Sequence, residues 1–316
     1  MDTRHLLDPQ IASLIDLVPT IELSAGNLPA VREARRRFQE EQPVPPPPDG
    51  LVVGERRVPG RAGDPDVRVL VTRPAGAGEP LPALLWIHGG GYVLGSADWD
   101  QAAVVPLAAE IGCVVVSVDY RLAPETPHPG PVNDCHAALS WLHGNAADLG
   151  VDPARIAVAG VSAGGGLAAT LAQKVRDEGR IPLVLQALFV PMLDDRTVTE
   201  SDPHPHTGEF RWTRASNAFG WSSLLGHEPG RDGVAPYAVA ARCEDLGGLP
   251  PAFVSVGALD LFLEEDIEYA RRLTRAGVPV ELHVHPGVPH GIFEGAEVSA
   301  RMRREMLAAV RRAFAV

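Results

Sequence analysis

Residues 155–164 read Arg155-Ile156-Ala157-Val158-Ala159-Gly160-Val161-Ser162-Ala163-Gly164, and this stretch decides the fold. An apolar run typical of a buried strand ends in a Gly-x-Ser-x-Gly pattern, and a helix-like stretch follows it. A serine on a sharp turn between strand and helix keeps its hydroxyl exposed, and small neighbours allow the backbone to turn. The helix N-terminus also favours negative charge at this point. The pattern predicts a nucleophile at Ser162, with a serine that merely caps the helix as the structural alternative.

From residue 51 onward, strand-like and helix-like segments alternate along the chain. The predicted strands are residues 67–72, 83–88, 114–119, 155–161, 183–190, 252–257 and 280–285. Helices are predicted at residues 131–143, 166–177, 264–276 and 296–314. This alternation predicts an α/β fold with a mostly parallel central sheet and helices on both faces. No helix separates the first two predicted strands, so we expect the first part of the sheet to be antiparallel.

Two regions lie outside this rhythm. Residues 1–42 have amphipathic helical spacing, with one apolar stripe formed by Leu6, Leu7, Ile11, Leu14 and Ile15 and another by Val31, Ala34 and Phe38. The proline-rich residues 43–48 predict an extended connector, with a ligand for another protein as the alternative. Residues 195–245 mix aromatic residues with proline and glycine, which is typical of a lid. We therefore expect residues 1–50 and 195–245 to form a helical cap over a domain of residues 51–194 and 246–316.

Composition narrows the function classes. The chain has 316 residues and a net charge of −12, and its densest basic segment, residues 32–37, has the pattern of a solvated helix face. No nucleic-acid partner is expected, because no basic stripe would neutralise phosphates. The three cysteines are widely spaced, which predicts neither a disulfide framework nor a thiolate metal site. No stretch approaches the ~18 apolar residues of a membrane span. We expect a cytoplasmic protein without metal or cofactor.

A second motif, His88-Gly89-Gly90-Gly91, follows the predicted strand 83–88. Consecutive glycines allow backbone N–H groups to approach a reacting oxygen without a side chain in the way. Such donors stabilise the oxyanion of a tetrahedral intermediate, and the end of an earlier strand is where the second half of an oxyanion hole is expected. The alternative is an ordinary glycine-rich turn.

A serine on such a strand-to-helix turn is expected to be followed along the chain first by an acid, Asp or Glu, and then by a histidine. Asp260 comes just after the predicted strand 252–257, and His290 lies in a loop of glycine and proline after the predicted strand 280–285. A loop position suits a histidine that carries a proton beside a nucleophile. The order and the placement at strand ends favour Ser162, Asp260 and His290 as one constellation.

Four motifs together resemble the hormone-sensitive-lipase-like family of bacterial carboxylesterases, which have the α/β-hydrolase fold. They are His88-Gly89-Gly90-Gly91, Tyr120-Arg121-Leu122-Ala123-Pro124-Glu125, Gly160-Val161-Ser162-Ala163-Gly164-Gly165 and His290-Gly291-Ile292. The resemblance runs from about residue 50 to the C-terminus. It implies Ser162 as nucleophile, His290 as base and Asp260 as orienting acid. It also implies an oxyanion hole made by the N–H groups of Gly90, Gly91 and Ala163, although which two of the three glycines donate stays open.

The chain departs from the family pattern at two places. Val161 stands where the family usually has Asp or Thr before the serine. The acid segment, often DPLRDE, reads Asp260-Leu261-Phe262-Leu263-Glu264-Glu265 here. Glu264, Glu265 and Asp266 therefore compete with Asp260 for the role of the triad acid. Helical spacing of the neighbouring apolar residues places those three in the first turn of a helix, where acids complement the helix dipole. Asp260 is the predicted acid.

The predicted function is that of a serine carboxylesterase acting on small to medium acyl-chain esters. An amidase, lactonase or acyltransferase could use the same triad, because the pocket selects the leaving group and the acceptor. A non-catalytic ligand-binding module on this fold is a further alternative, against which the presence of His290 counts. The pairs His283/His285 and His204/His206 lack a third metal ligand at suitable spacing. The family resemblance allows a homodimer, through the last strand and final helix.

Overall fold

The computed structural model of the protein describes residues 2–17, 20–41, 47–76 and 78–315. Eight strands within these ranges form one sheet. In chain order they are β1 (Leu51–Val58), β2 (Val67–Pro74), β3 (Leu81–Ile87), β4 (Val114–Asp119), β5 (Val151–Val161), β6 (Leu185–Phe189), β7 (Ala252–Gly257) and β8 (Val280–His285). Their order across the sheet is β1-β2-β4-β3-β5-β6-β7-β8.

The sheet is antiparallel at one end and parallel elsewhere. Strand β2 runs antiparallel to both β1 and β4, whereas each pair from β4 through β8 is parallel. The expected antiparallel start is therefore present. However, its pairing differs from the prediction, because β4 lies between β2 and β3, the first two strands predicted.

Nine α-helices are present among the described residues. They are α1 (Pro9–Leu14), α2 (Leu28–Glu41), α3 (Gln101–Ile111), α4 (Gly130–Gly144), α5 (Ala146–Leu149), α6 (Ala163–Glu178), α7 (Arg214–Leu225), α8 (Leu263–Arg275) and α9 (Glu297–Phe314). The four helices predicted from the sequence correspond to α4, α6, α8 and α9. Short 3-10 turns occur at Arg4–Leu6, Ile15–Leu17, Asp195–Val198 and Ala240–Arg242.

Helices cover both faces of the sheet, as predicted. Alternate residues of β4 belong to different apolar clusters, because successive side chains of a strand point to opposite faces. Val116 packs in the cluster that contains Leu139 of α4 and Leu171 of α6. Val115 packs in the cluster that contains Leu107 of α3 and Val310 of α9. Burial of each such side chain contributes roughly 1.5–3 kcal/mol, so the two clusters fix which helix covers which face.

Strand β1, helix α3 and the short helix α5 have no counterpart among the predicted segments. Strand β1 has the polar run Gly54-Glu55-Arg56-Arg57 at its centre and lies at the sheet edge, where side chains can remain in water. It therefore shows no apolar run. Helix α3 contains Pro106, which interrupts the usual sequence pattern of a helix.

Each predicted N-terminal stripe is buried only in part: Leu6 of the first stripe is 39% exposed, and Val31 of the second packs against the core. Leu7, Ile11 and Ile15 are buried in the apolar cluster that also contains side chains of α9. In contrast, α2 keeps Phe38 66% exposed, and Ala34 is exposed as well. The predicted stripe of α2 therefore packs against the core only at Val31. Most of the predicted connector, residues 43–46, lies outside the described residues.

Arg121 and Glu125, in the loop after β4, each form an ion pair with a residue outside the motif Tyr120–Glu125. Adjacency within that motif suggests an ion pair between Arg121 and Glu125, and that expectation is wrong. The Arg121 guanidinium donates to the buried Asp134 at 2.7 Å and contacts Asp64 at 3.1 Å. Glu125 instead accepts from Arg32 of α2 at 2.6 Å.

Candidate active site

The turn between β5 and α6 holds Ser162 in a strained backbone conformation. Its φ of 56° and ψ of −121° are rare for a residue with a side chain, and such outliers cluster at functional sites. A Cβ on Gly160 would lie 2.2 Å from the carbonyl oxygen of Gly164, and one on Gly164 would lie 2.1 Å from that of Ile87. The two glycines of the motif are thus required by close backbone approach.

The structure brings Ser162, His290 and Asp260 together in one hydrogen-bonded chain. Ser162 Oγ lies 2.9 Å from Nε2 of His290, and Nδ1 of His290 lies 2.8 Å from Oδ2 of Asp260. A carboxylate only accepts, so Nδ1 carries the proton and Nε2 accepts from the serine hydroxyl. The three side chains follow the carboxyl ends of β5, β7 and β8, and these parallel strands all end on the same side of the sheet.

In this hydrogen-bonded series, the acid is more deeply buried than the histidine. The His290 side chain is 12% exposed, whereas that of Asp260 is fully buried. Asp260 Oδ1 also accepts a hydrogen bond of 3.0 Å from the backbone N–H of Phe262. The Phe262 ring meets the His290 ring edge-on, with centroids 5.0 Å apart. These contacts fix the orientation of the imidazole toward the serine.

Backbone donors lie beside the serine at the predicted positions. Gly90 and Gly91 line the same cavity as Ser162, and within the described residues their N–H groups donate to no protein acceptor. Ala163 is the first residue of α6, so its N–H has no acceptor within the helix. Donors placed in this way can stabilise an oxyanion.

The serine opens into a cavity of about 450 Å³. Its aromatic walls are Trp86, Trp99, Phe189 and Trp212, and its aliphatic walls include Leu94, Val161 and Met306. The side chains of Arg35 and Arg211 also line it. Val161, which departs from the family pattern, adds apolar surface beside the nucleophile.

Comparison with known proteins agrees with this geometry. A family model described as the α/β-hydrolase fold matches residues 84–294. Carboxylesterase NlhH of Mycobacterium tuberculosis is 38% identical over 322 residues, which cover 98% of this chain and 97% of that protein. The solved structure of a bacterial heroin esterase has a TM-score of 0.91 and 41% identity, with 99% of each chain covered. Esterase LipW from Mycobacterium marinum has a TM-score of 0.84 and 34% identity, covering 98% of this chain and 97% of that one.

The chain belongs to the hormone-sensitive-lipase-like carboxylesterases of the α/β-hydrolase fold. The family resemblance and the fold class predicted from the sequence are thereby confirmed. The protein is a carboxylic ester hydrolase. No helix among the described residues has the length and apolar character needed to cross a bilayer.

The motif His88-Gly89-Gly90-Gly91 of this esterase is held by a stacked pair of rings. The rings of His88 and Tyr120 stack with centroids 4.1 Å apart, and the Tyr120 hydroxyl donates to the His88 carbonyl at 3.0 Å. His88 Nδ1 lies 2.8 Å from the Gly89 carbonyl, so Nδ1 carries the proton. Burial lowers the pKa of His88, which keeps its ring neutral. Two family motifs distant in sequence thus pack together and support the loop of residues 88–91.

The three acids that competed with Asp260 occupy the first turn of α8, as predicted. Glu264 is exposed, which agrees with a role in the helix dipole alone. Glu265 is buried and accepts from the backbone N–H groups of Leu193 at 2.6 Å and Asp194 at 3.1 Å. It therefore holds the loop after β6, a role that the sequence pattern did not indicate.

Asp266 is fully buried, and within the described part of the chain neither carboxyl oxygen has a hydrogen-bond partner. Burial raises the pKa of Asp266 well above its ordinary value, and the nearby charges of Glu265 and Asp260 add to this shift. A carboxyl group without donors is favoured in its neutral form. Asp266 does not contact His290, so the structure offers Asp260 as the acid partner.

Neither pair of histidines forms a metal site within the described ranges, where no group of three potential ligands occurs. His285 Nε2 lies 2.9 Å from Ser255 Oγ, which gives a second serine–histidine pair. Both residues are buried and neither lines the esterase cavity. Burial, together with the charge of Arg301, lowers the pKa of His285 to about 4. This pair is a structural contact inside the fold.

Several residues of the cavity carried no recognisable sequence signal. Trp212 belongs to the irregular aromatic segment 195–245 and matches no motif, yet its ring centroid lies 6.2 Å from that of His290. Arg35 falls in the basic segment 32–37, which the pattern assigned to a solvated face. Arg32, Arg36 and Arg37 make surface ion pairs, whereas Arg35 faces the cavity.

Proposed function

We propose that this esterase hydrolyses small to medium acyl-chain esters through an acyl-enzyme on Ser162. The observation that carries the proposal is the unbroken hydrogen-bonded chain from Ser162 Oγ through His290 to Asp260, which opens on a mostly apolar cavity. A serine is a weak nucleophile at its ordinary pKa, and an adjacent base that takes its proton activates it.

In the proposed reaction, Ser162 Oγ attacks the ester carbonyl while Nε2 of His290 accepts its proton. The negative charge that develops on the carbonyl oxygen is stabilised by N–H groups of Gly90, Gly91 and Ala163, where one lost donor costs ~2.7–4 kcal/mol. Asp260 holds the Nδ1–H tautomer and stabilises the imidazolium. His290 then protonates the leaving alcohol. Water, with His290 again as base, attacks the acyl-enzyme and releases the acid.

The size of the cavity supports the substrate range. Its volume of about 450 Å³ matches small ligands, and the rings of Trp86, Trp99 and Trp212 are among its walls. Esters with short and medium acyl chains fit such a space, whereas the chains of long triglycerides exceed it. We expect kcat/KM to peak within that range in a series of para-nitrophenyl esters.

We also propose that residues 1–50 and 195–245 form a cap over a catalytic domain of residues 51–194 and 246–316. Hydrogen bonds between the two capping segments support this division. The Leu23 N–H donates to Ser216 Oγ at 3.0 Å, and the Arg211 N–H donates to Thr20 Oγ1 at 3.0 Å. Leu23 and Arg211 line the cavity, so both segments contribute to its wall.

The decisive experiment is covalent labelling with an organophosphonate. Wild-type enzyme should be labelled at Ser162, and Ser162→Ala should not be labelled. Ser255→Ala is the matched control, because Ser255 is also hydrogen-bonded to a histidine but is buried away from the cavity. Labelling of Ser255→Ala should still map to Ser162. A fully labelled Ser162→Ala protein, with the tag on another serine, would overturn the proposal.

A substrate panel separates the related chemistries. The same triad supports an amidase, a lactonase or an acyltransferase, and these differ in leaving group and acceptor. An ester, the matching anilide, a lactone, and an ester with added alcohol acceptor should give the ester the highest kcat/KM. A burst of product at the start of the ester reaction would exclude a non-catalytic ligand-binding module.

Two further expectations belong to this proposal. The three cysteines Cys113, Cys135 and Cys243 are free, which supports a reducing compartment such as the cytoplasm. Strand β8 lies at the sheet edge with Leu282 and Val284 partly exposed, which supports a homodimer through that edge. Light scattering coupled to size exclusion would give the mass in solution.

A further inference from the structure

Two arginines face the cavity without a counter-ion. Arg35 comes from α2 and lines the cavity; the residue is partly exposed, and its guanidinium carbon packs 4.5 Å from the centroid of the Trp99 ring. Arg211 is half-buried, with its guanidinium carbon 5.6 Å from the centroid of the Phe293 ring. Neither guanidinium has a carboxylate within 4.0 Å or a hydrogen-bond acceptor among the residues that the structure describes.

The surroundings make these charges costly. Burial lowers the pKa of both guanidinium groups, and the positive charge of Arg211 lowers that of Arg35 further. The two positive charges repel each other, and the aromatic rings beside them compensate them less than a paired carboxylate would. An anion between them would remove this cost, because Arg–carboxylate hydrogen bonds are among the strong ones.

Arg211 is also close to the reacting groups. Its Nη2 lies 3.7 Å from the position that a Cβ on Gly291 would occupy, next to His290. Its backbone φ of 68° falls in the left-handed region, which a residue with a long side chain seldom adopts. The fold thus holds this cation beside the catalytic base at an energetic cost.

The other charged groups of the cavity do not neutralise the pair. Arg303 is bound by Glu110 at 2.7 Å. Asp100 accepts from the Trp86 indole at 2.8 Å, and burial raises the pKa of its carboxyl. Glu294 is exposed and forms no ion pair within 4.0 Å among the described residues. Neither carboxylate of the cavity, Asp100 or Glu294, therefore forms an ion pair with Arg35 or Arg211.

We propose that Arg35 and Arg211 form an anion-binding subsite, which selects esters that carry a free carboxylate in addition to the scissile ester bond. This inference rests on the proposed function and narrows its substrate class. The carboxylate can belong to the acyl part, as in a dicarboxylic acid monoester, or to the alcohol part, as in an acylated hydroxy acid. Both present the same group to the two guanidinium forks.

Two matched substrate pairs test the subsite. The acyl pair is mono-para-nitrophenyl glutarate and para-nitrophenyl pentanoate, and the alcohol pair is para-acetoxybenzoate and phenyl acetate. For each pair, the ratio of kcat/KM for the charged ester to that for the neutral ester is measured in wild-type enzyme and variants. Taking the change in ratio between enzymes cancels the intrinsic reactivity of the esters.

Arg35→Gln and Arg211→Gln should each lower this ratio by at least about tenfold in the pair that reaches the subsite. Arg211→Lys should retain part of the preference, since it keeps the charge but not the bidentate geometry. Arg36→Gln is the matched control on the same helix, with its guanidinium paired with Glu33 on the outer face. It should leave the ratio unchanged.

The wild-type enzyme supplies a test that needs no variant. Added salt should lower kcat/KM for the charged ester more than for the neutral one, because it screens partly exposed charges. The subsite would be overturned by two results together. The ratio of kcat/KM values would be the same in wild type, Arg35→Gln and Arg211→Gln for both substrate pairs, and salt would affect charged and neutral esters equally. If neutral esters are still hydrolysed and Ser162 is still labelled, the proposed esterase mechanism survives that result. Loss of labelling specificity would refute the mechanism instead.

Discussion

The buried carboxylate of Asp260 lies 2.8 Å from Nδ1 of His290, although 30 residues separate them in the chain. Asp260 follows β7 and His290 follows β8, and these two strands are parallel neighbours in the sheet. The loops after them therefore begin side by side at the carboxyl ends of the strands. Three other acids lie within six residues of Asp260 in sequence, and all three belong to α8. Strand adjacency, rather than sequence proximity, brings Asp260 to the histidine.

The first prediction concerns this contact. Asp260→Asn should lower kcat by roughly 10³–10⁴, because an amide no longer favours the Nδ1–H tautomer or stabilises the imidazolium. Glu264→Gln is the control, since Glu264 is exposed on the same segment, and it should change kcat by no more than about tenfold. Steady-state kinetics on one activated ester would measure both. An active Asp260→Asn enzyme beside an inactive Asp266→Asn enzyme would show that the acid is misassigned.

The oxyanion loop gives a second prediction. A Cβ on Gly91 would lie 2.1 Å from Cη2 of Trp212, and the φ of Gly91 is +60°. Gly91→Ala should therefore displace the loop and lower kcat by at least about 100-fold, the cost of one lost donor. Gly112→Ala has a similar φ of +75° but no atom within 4 Å. That control should lose stability alone, and equal kcat values in the two variants would contradict the role of the loop.

The contact between the two capping segments gives a third prediction. Ser216 Oγ accepts from the Leu23 N–H at 3.0 Å and lies 3.3 Å from the Ile21 carbonyl. Ser216→Ala leaves that buried N–H without a partner, which should cost ~1–3 kcal/mol of stability and raise KM as the cavity wall loosens. Ser222→Ala, on the same helix, should change neither. Thermal melts and steady-state kinetics provide the measurements.

Removing the N-terminal segment tests the same idea more severely. A chain without residues 1–42 should melt at a lower temperature and lose activity. The deletion exposes the apolar surface that Leu7, Ile11 and Ile15 cover, and it removes part of the cavity wall. Unchanged kinetics and an unchanged melting temperature would rule out an N-terminal contribution to the cap.

The fourth prediction concerns pH and stability. Burial raises the pKa of Asp266, so the folded state binds its proton more tightly than the unfolded state, whose pKa is ~3.9. The wild type should therefore lose stability relative to Asp266→Asn as pH rises from ~4 toward the raised folded-state pKa. The difference in unfolding free energy should grow by at most ~1.4 kcal/mol per pH unit.

Urea unfolding at about pH 5 and about pH 8 would measure this difference. The comparison of wild type with Glu264→Gln serves as the control, because that carboxylate is exposed and should show no such trend. A difference between wild type and Asp266→Asn that is independent of pH would mean that Asp266 is already ionised in the folded protein.

Much of this esterase was predictable from the sequence, because the relevant signals are local. The turn around Ser162 needs glycines at fixed offsets, and the strands of a parallel sheet buried on both faces appear as apolar runs. The order Ser162, Asp260, His290 at three strand ends then indicated which side chains meet. Strands β4, β7 and β8 have the predicted bounds. The apolar runs of β4 and β7 end at Asp119 and Gly257, whereas β8 alternates apolar and polar residues, as an edge strand can.

The tertiary structure alone decided features that depend on which distant segments meet. Strand β1 is polar because it is an edge strand, and only its pairing with β2 makes it a strand. Arg121 binds Asp134 rather than Glu125, since the packing of α4 against the sheet brings that carboxylate to it. Arg35 and Arg211 have no shared motif, yet both line one cavity. Local chemistry fixes turns and strands, whereas charge pairing and cavity walls depend on how the completed sheet and its helices pack.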